Sequence, residues 1–236
     1  MKKTVYPAHT RGKADYGWLK ANYSFSFANY FNPDRIKFGA LRVLNDDVIA
    51  PGKGFGTHPH QNMEIVSIPL DGKLAHKDSM GHEEIIKTGE VQVMSAGTGV
   101  EHSEYNPSTT EATNLLQVWI LPQANGVSPR YDQRSFSLRK NELKTVVTPR
   151  DNTTDDSLWL NQQTYFNLGE FDQDNSHTYT INQSGHGVYM FVIEGSLMCE
   201  GEKLEKRDAL GVWETDSISF TTTAPSKILV IEIPMN

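Results

Sequence analysis

The chain has 236 residues, a formal charge of −7 and a pI near 5.6, with 37% hydrophobic and 22% charged residues. That length allows one large β domain or two of about 100–150 residues, each with a buried core. No run of Lys or Arg exceeds a pair and no apolar window approaches a membrane span, so direct nucleic-acid binding and membrane insertion are disfavoured.

From the N-terminus, "MKKTVYPAHTRGKADYGW" starts basic but lacks the apolar region of a secretory signal. "NYSFSFANYF" alternates like a strand and reads as core or lid. Short runs rich in Val, Ile, Phe, Tyr and Thr then recur about every ten residues: "IKFGALRVL", "MEIVSIPL", "EIIKTG", "VQVMSAG" and "NLLQVWIL". Turn residues punctuate them at "NDD", "LDGK" and "TGE". The best short helical candidate is "PRYDQRSFSL", 129–138. Polar segments "PQANGVSPRYDQRSF" and "TPRDNTTDDS" mark a change of character between about 122 and 157. A second strand series follows: "KTVVTP", "TYTIN", "GVYMFVIEG", "SLMCEG", "ALGVW", "SISFTT" and "KILVIEIP". The pattern predicts an all-β protein of two modules, 1–132 and 133–236. Each half holds a strand, a Gly turn and a strand, "EIVSIPLDGKL" and "YMFVIEGSLMC". The single cysteine, Cys199, forms no internal disulfide and fits a reducing, cytoplasmic setting.

Two polar stretches carry the chemistry, "GFGTHPHQNMEIVSI" at 54–68 and "SAGTGVEHSEYN" at 95–106. On a strand, residues i and i+2 share a face, so His58 and His60 are neighbours, as are His102 and Glu104. If both strands line one barrel, three imidazoles and a carboxylate converge. A His-x-His alone is commonly polar decoration. Inward-facing unpaired imidazoles and a carboxylate are costly to desolvate, however, and a cation removes that penalty. The donor set permits Fe, Ni, Mn, Co, Cu or Zn, with positions open to a guest. Glu64, four residues past His60, offers a competing carboxylate. His76 reads as an imidazole bonded to backbone or to Asp78, His82 as a solvated turn residue, and His9, His177 and His186 as surface residues. "GFG" and "SAGTG" read as tight barrel turns, since no helix follows to hold a phosphate.

The segments "YSFSFANYF", "FGALRVLNDD", "PGKGFGTHPHQNMEIVSIPLDGKLAHKDSMG", "GEVQVMSAGTGVEHSEYNPS" and "LLQVWILP" resemble the pirin family of bicupins, and its bacterial pirin-like quercetinases most closely. The C-terminal half resembles the family only through its strand rhythm. The resemblance implies two cupin-type (double-stranded β-helix, jelly-roll) barrels in tandem, the second a degenerate cupin without a metal site. It places the metal ligands at His58, His60, His102 and Glu104, holding one divalent ion, Fe(II) first among the candidates. It further implies flavonol cleavage by O2 with release of CO, Glu104 acting as general base. A different small-molecule dioxygenase is a neighbouring possibility, and a non-enzymatic metal- or redox-sensing partner of a regulatory protein is the alternative from another class.

Overall fold

A computed structural model describes residues 1–235. Fifty-nine per cent of the chain is strand. The helical segments among the described residues are two 3-10 turns, Ala8–Thr10 and Arg150–Asn152. No helix among them is long and apolar enough to cross a membrane.

Each half folds into a barrel from one seven-stranded and one four-stranded sheet. In the N-terminal barrel the large sheet runs in the order Arg130–Ser135, Glu90–Ser95, Glu64–Asp71, Thr113–Ile120, Leu41–Ile49, Leu19–Tyr23, Gly12–Asp15. Its small sheet runs Gly54–His60, Val100–Tyr105, Lys73–Asp78, Glu83–Lys87. The C-terminal barrel repeats the plan, with a central strand His186–Glu194 between Ala209–Trp213 and Ser226–Pro234. Pairing is antiparallel throughout both large sheets except between Glu142–Pro149 and Leu158–Leu160.

The outer faces of the two large sheets pack on each other. Leu44, Val66, Leu116 and Val118 from one meet Phe166, Tyr189, Phe191 and Leu229 from the other in a single buried cluster. Each such fully buried side chain contributes about 1.5–3 kcal/mol. Strands sandwiched this way are apolar on both faces, which is why "NLLQVWIL" reads as a nearly continuous run. The interiors differ between the barrels. One cluster fills the C-terminal barrel, from Phe171 and Val188 to Ile218 and Val230. In the N-terminal barrel two smaller clusters, one around Leu19, Ile49 and Leu74 and one around Ile65 and Met94, leave a polar centre between them.

Turn glycines mark equivalent places. Gly72, at φ 80°, joins Glu64–Asp71 to Lys73–Asp78, and Gly195, at φ 85°, joins His186–Glu194 to Ser196–Cys199. Left-handed backbone of this kind is cheap only for glycine.

Several expectations change. "NDD" is no turn: Asn45, Asp46 and Asp47 lie buried in the middle of Leu41–Ile49. Asp46 faces the barrel interface, where the Arg11 and Arg207 guanidinium groups each lie 3.6 Å from it. "PRYDQRSFSL" is a strand over Arg130–Ser135, because residues 130–135 pair in full register with Glu90–Ser95 and edge pairing outweighs weak helical propensity. Gly54 and Gly56 lie within Gly54–His60 rather than in a turn. Arg130–Ser135 pairs with Glu90–Ser95 in the N-terminal large sheet, and Lys2–Tyr6 pairs with Ala209–Trp213 in the C-terminal one.

Candidate metal centre

The small sheet of the N-terminal barrel brings the histidines together. Val100–Tyr105 pairs antiparallel with Gly54–His60, setting His102 directly opposite His58 and Val100 opposite His60. Beyond that pair the register shifts, Glu104 lying opposite Phe55, so a bulge falls at Gly56–Thr57. The three imidazoles close into a triangle with ring centroids 4.5 Å (His58–His102), 4.8 Å (His60–His102) and 4.9 Å (His58–His60) apart. One donor atom from each lies within 4.8 Å of the others.

The protonation chemistry favours ligation. Burial first, then neighbouring His102 and His58, holds His60 down at about 3. Burial, then His58 and His76, does the same to His102, also to about 3, against an upward pull from Asp78. Both rings are neutral at physiological pH, the state in which imidazole binds metals. His58 Nδ1 lies 2.8 Å from the Gly56 carbonyl oxygen. A carbonyl only accepts, so Nδ1 carries the proton and Nε2 keeps its lone pair. His102 is buried, yet neither ring nitrogen has a hydrogen-bond partner. Such an orphan is costly unless something absent from the chain satisfies it. The donor set and the orphaned nitrogens fit a divalent transition ion.

Glu104 lies outside the close triangle but lines the same cavity, with His58, His60, Gln117 and Trp119. Gln117 Nε2 donates to its Oε2 at 2.8 Å. Ser67 Oγ lies 2.7 Å from Gln117 Oε1 and 3.3 Å from Glu104 Oε1. With one hydroxyl proton, Ser67 donates to Gln117, fixing that amide and leaving Glu104 Oε1 largely free. Burial pushes the Glu104 carboxyl up, against the opposing influence of His76, Gln117, His58 and Ser67.

Glu64 takes no part. It accepts from Ser95 Oγ at 2.7 Å and from Asn161 N and Nδ2 at 3.1 and 3.2 Å, tying the barrels together. Glu64 does not share a face with His60, because Asn62, at φ 50°, turns the chain between Gly54–His60 in one sheet and Glu64–Asp71 in the other.

Three of the remaining histidines depart from expectation, while His9 is exposed as expected. His76 is buried with both ring nitrogens unpartnered, not bonded to Asp78; it stacks on Tyr131 at 4.7 Å, and its ring lies 5.3 Å from that of His102. His82 is half-buried rather than free in solvent: its Nδ1 lies 2.9 Å from Asp78 Oδ2 and its ring 4.8 Å from Tyr131. His186 is buried, not on the surface, with Nδ1 3.0 Å from Glu232 Oε1.

Beside the imidazoles is a cavity of about 200 Å³, walled by Phe27, Phe55 and Trp119 and floored by Asn45 and Asp47. Burial, then Asp46 and Glu104, pushes Asp47 up to about 8. Asn45, Asp47, Ser67, Gln117 and Tyr131 do not stand out in the sequence. Alternation along "ALRVLNDDVI" is the signal that could find the first two, since 45 and 47 share a face with Val43 and Ile49.

Fold and site together define a class: a double-barrel cupin protein in which, among the described residues, the N-terminal barrel alone presents a three-imidazole cluster. The Pirin profile matches residues 5–120, and the profile of the quercetinase C-terminal cupin domain matches 145–233. The chain is 42% identical to the quercetin 2,3-dioxygenase of Escherichia coli strain K12 over 227 residues, 96% of each protein. It is 34% identical to a pirin-like protein of Caulobacter vibrioides, over 96% of this chain and 97% of that one. Among solved structures, YhhW from Escherichia coli superposes with a TM-score of 0.95 at 40% identity, covering 100% of this chain and 99% of that one. A second structure, bacterial pirin YhhW in complex with nickel(II), superposes at 0.94, also 40% identical, with both chains fully covered. The chain belongs to the pirin family.

Proposed function

We propose that this protein is a metal-dependent dioxygenase that opens the central ring of quercetin-like flavonols with O2, yielding a ring-opened ester and carbon monoxide. Three imidazoles converging beside an aromatic-walled cavity, with Glu104 on its wall, carry the reading. The relatives named quercetin 2,3-dioxygenase and the nickel(II) complex of YhhW support it. His58, His60 and His102 are the proposed ligands, with Glu104 beside them as ligand or base.

A bound divalent ion would supply Lewis acidity at a chelating flavonol hydroxyl. Fe(II) and Ni(II) are the first ions to test. The Gly56 carbonyl aims His58 Nε2 by holding its Nδ1 proton. Gln117 holds Glu104 Oε2, so Oε1 is the atom that receives the substrate hydroxyl proton. The upward push on Glu104 makes it a stronger base, suited to keep that proton while the ring opens. Phe27, Phe55 and Trp119 flank a planar aromatic guest and keep water from the deprotonated hydroxyl.

The test is loss of the flavonol absorbance band on protein loaded with Fe(II) or Ni(II). Consumption in air but not under nitrogen, lowered at least about 100-fold in Glu104→Gln with metal retained, is the expected result. Undiminished turnover in that variant removes Glu104 as base. Metal binding with no turnover of any flavonol overturns the enzymatic reading in favour of a metal-sensing partner protein.

A further inference from the structure

The cavity beside the imidazoles does not end at Asn45 and Asp47. A second chamber of about 270 Å³ adjoins it, sharing Phe27, Asn45, Asp47 and Phe55 and walled further out by Tyr16, Trp18 and Tyr23. Neither chamber alone reaches the ~300 Å³ at which pockets for drug-sized ligands begin; joined, the two do. The partition between them carries unsatisfied polar groups. Asn45 and Asp47 are 3% and 5% exposed, and neither Asn45 Oδ1 nor Asp47 Oδ1 has a hydrogen-bond partner.

Composition alone does not explain this, because Asp46, on the opposite face of the same strand, is fully engaged. It accepts from Asn114 Nδ2 at 2.9 Å and lies beside Arg11 and Arg207. Two orphaned groups two residues apart on one strand face, with aromatic walls on either side, suit a flat ligand that brings its own hydroxyls. We infer that the second chamber receives the dihydroxylated ring of a flavonol, whose phenolic hydroxyls pair with Asn45 and Asp47 while its chelating end lies at the imidazoles. This rests on the flavonol reading of the site and makes Asn45 and Asp47 determinants of specificity rather than of chemistry. Sites that hydrogen-bond a substrate hydroxyl reject the analogue lacking it, since their own buried groups are then left unpaired.

Equilibrium binding to Ni(II)-loaded protein under nitrogen tests this, with quercetin and 3-hydroxyflavone as probes and the flavonol absorbance shift as readout. Wild-type protein is expected to bind quercetin at least about 30-fold more tightly, and Asn45→Leu/Asp47→Leu to reduce the ratio below about 3-fold. Asp47→Asn, which preserves shape, provides a second reading if the double variant does not fold, with an expected fall in the ratio of about 3–10-fold. Equal binding of the two probes by wild type, or an undiminished ratio in folded variants, overturns the inference. If both probes bind equally and are consumed in air, the inference fails while the flavonol dioxygenase reading survives. If neither binds, both fail.

Discussion

The two barrels share a plan but differ in how the polar groups at their centres are satisfied. In the C-terminal barrel, Glu232 is saturated. Tyr179 donates to it at 2.7 Å, Asn182 through both its backbone and side-chain nitrogens, Gln183 through its backbone, and His186 Nδ1 lies 3.0 Å away. In the N-terminal barrel, both ring nitrogens of His76 and His102, together with Asn45 Oδ1 and Asp47 Oδ1, lack any partner. A closed network holds a fold together; an open one is costly until a ligand completes it. The difference teaches where this fold leaves polar groups open to a ligand: the centre of the N-terminal barrel.

The largest expected effect is on binding. His102→Ala should abolish stoichiometric Ni(II) or Fe(II) uptake, measured by elemental analysis. Because it removes unpartnered buried atoms, it should leave the thermal transition of the metal-free protein nearly unchanged. The mirror-image change is Glu232→Ala, which strands Tyr179, Asn182 and His186 in the interior. It should cost about 3–5 kcal/mol in denaturant titration while leaving metal stoichiometry intact. Metal loss without destabilisation in one barrel, and the reverse in the other, is the pattern sought.

Acid should sharpen the contrast. His60 and His102 are depressed in the folded, metal-free protein, so the unfolded chain binds more protons as pH falls from the ordinary imidazole value of 6.5 toward about 3. Stability of the metal-free protein therefore declines across that window. Glu232 behaves differently. Burial alone would raise it, but His186, Asn182 and Tyr179 outweigh that and hold it below its ordinary 4.5. Its contribution is present above 4.5 and is lost only as pH falls through its lower folded value. Melting temperature against pH, run on wild type and on His60→Ala/His102→Ala, should show the double variant losing the earlier decline and keeping the later one.

The smallest effect concerns Cys199, buried in the C-terminal interior, where burial pushes its thiol up to about 12. Native protein should resist iodoacetamide at pH 8, and Cys199→Ala should cost about 1 kcal/mol with no change in metal content. Rapid alkylation of folded protein would show the second barrel to be less tightly closed than its interior implies.

Much of the fold and site is legible in the sequence, for physical reasons. Strand alternation has period two, so spacing alone assigns His58 with His60, and His102 with Glu104, to shared faces. The structure brings the three imidazoles into one triangle and sets Glu104 on the wall of the same cavity. Parity fails once the chain turns, and the left-handed Asn62 sends Glu64 to the barrel interface instead. "NDD" resembles a turn because Asn and Asp usually compete with the sheet for backbone hydrogen bonds. Here two arginines from distant segments, Arg11 and Arg207, accommodate Asp46 in mid-strand, which no local pattern announces. His186 reads as a surface residue for the same reason, since its partner Glu232 lies 46 residues away.

Equilibrium dialysis against Ni(II) compares the barrels most directly, using wild type, His102→Ala and His186→Ala. One tightly held ion per chain in wild type and in His186→Ala, with none in His102→Ala, is the predicted result. Full loading of His102→Ala, or loss of the ion in folded His186→Ala, would contradict the assignment of the binding centre to the N-terminal barrel.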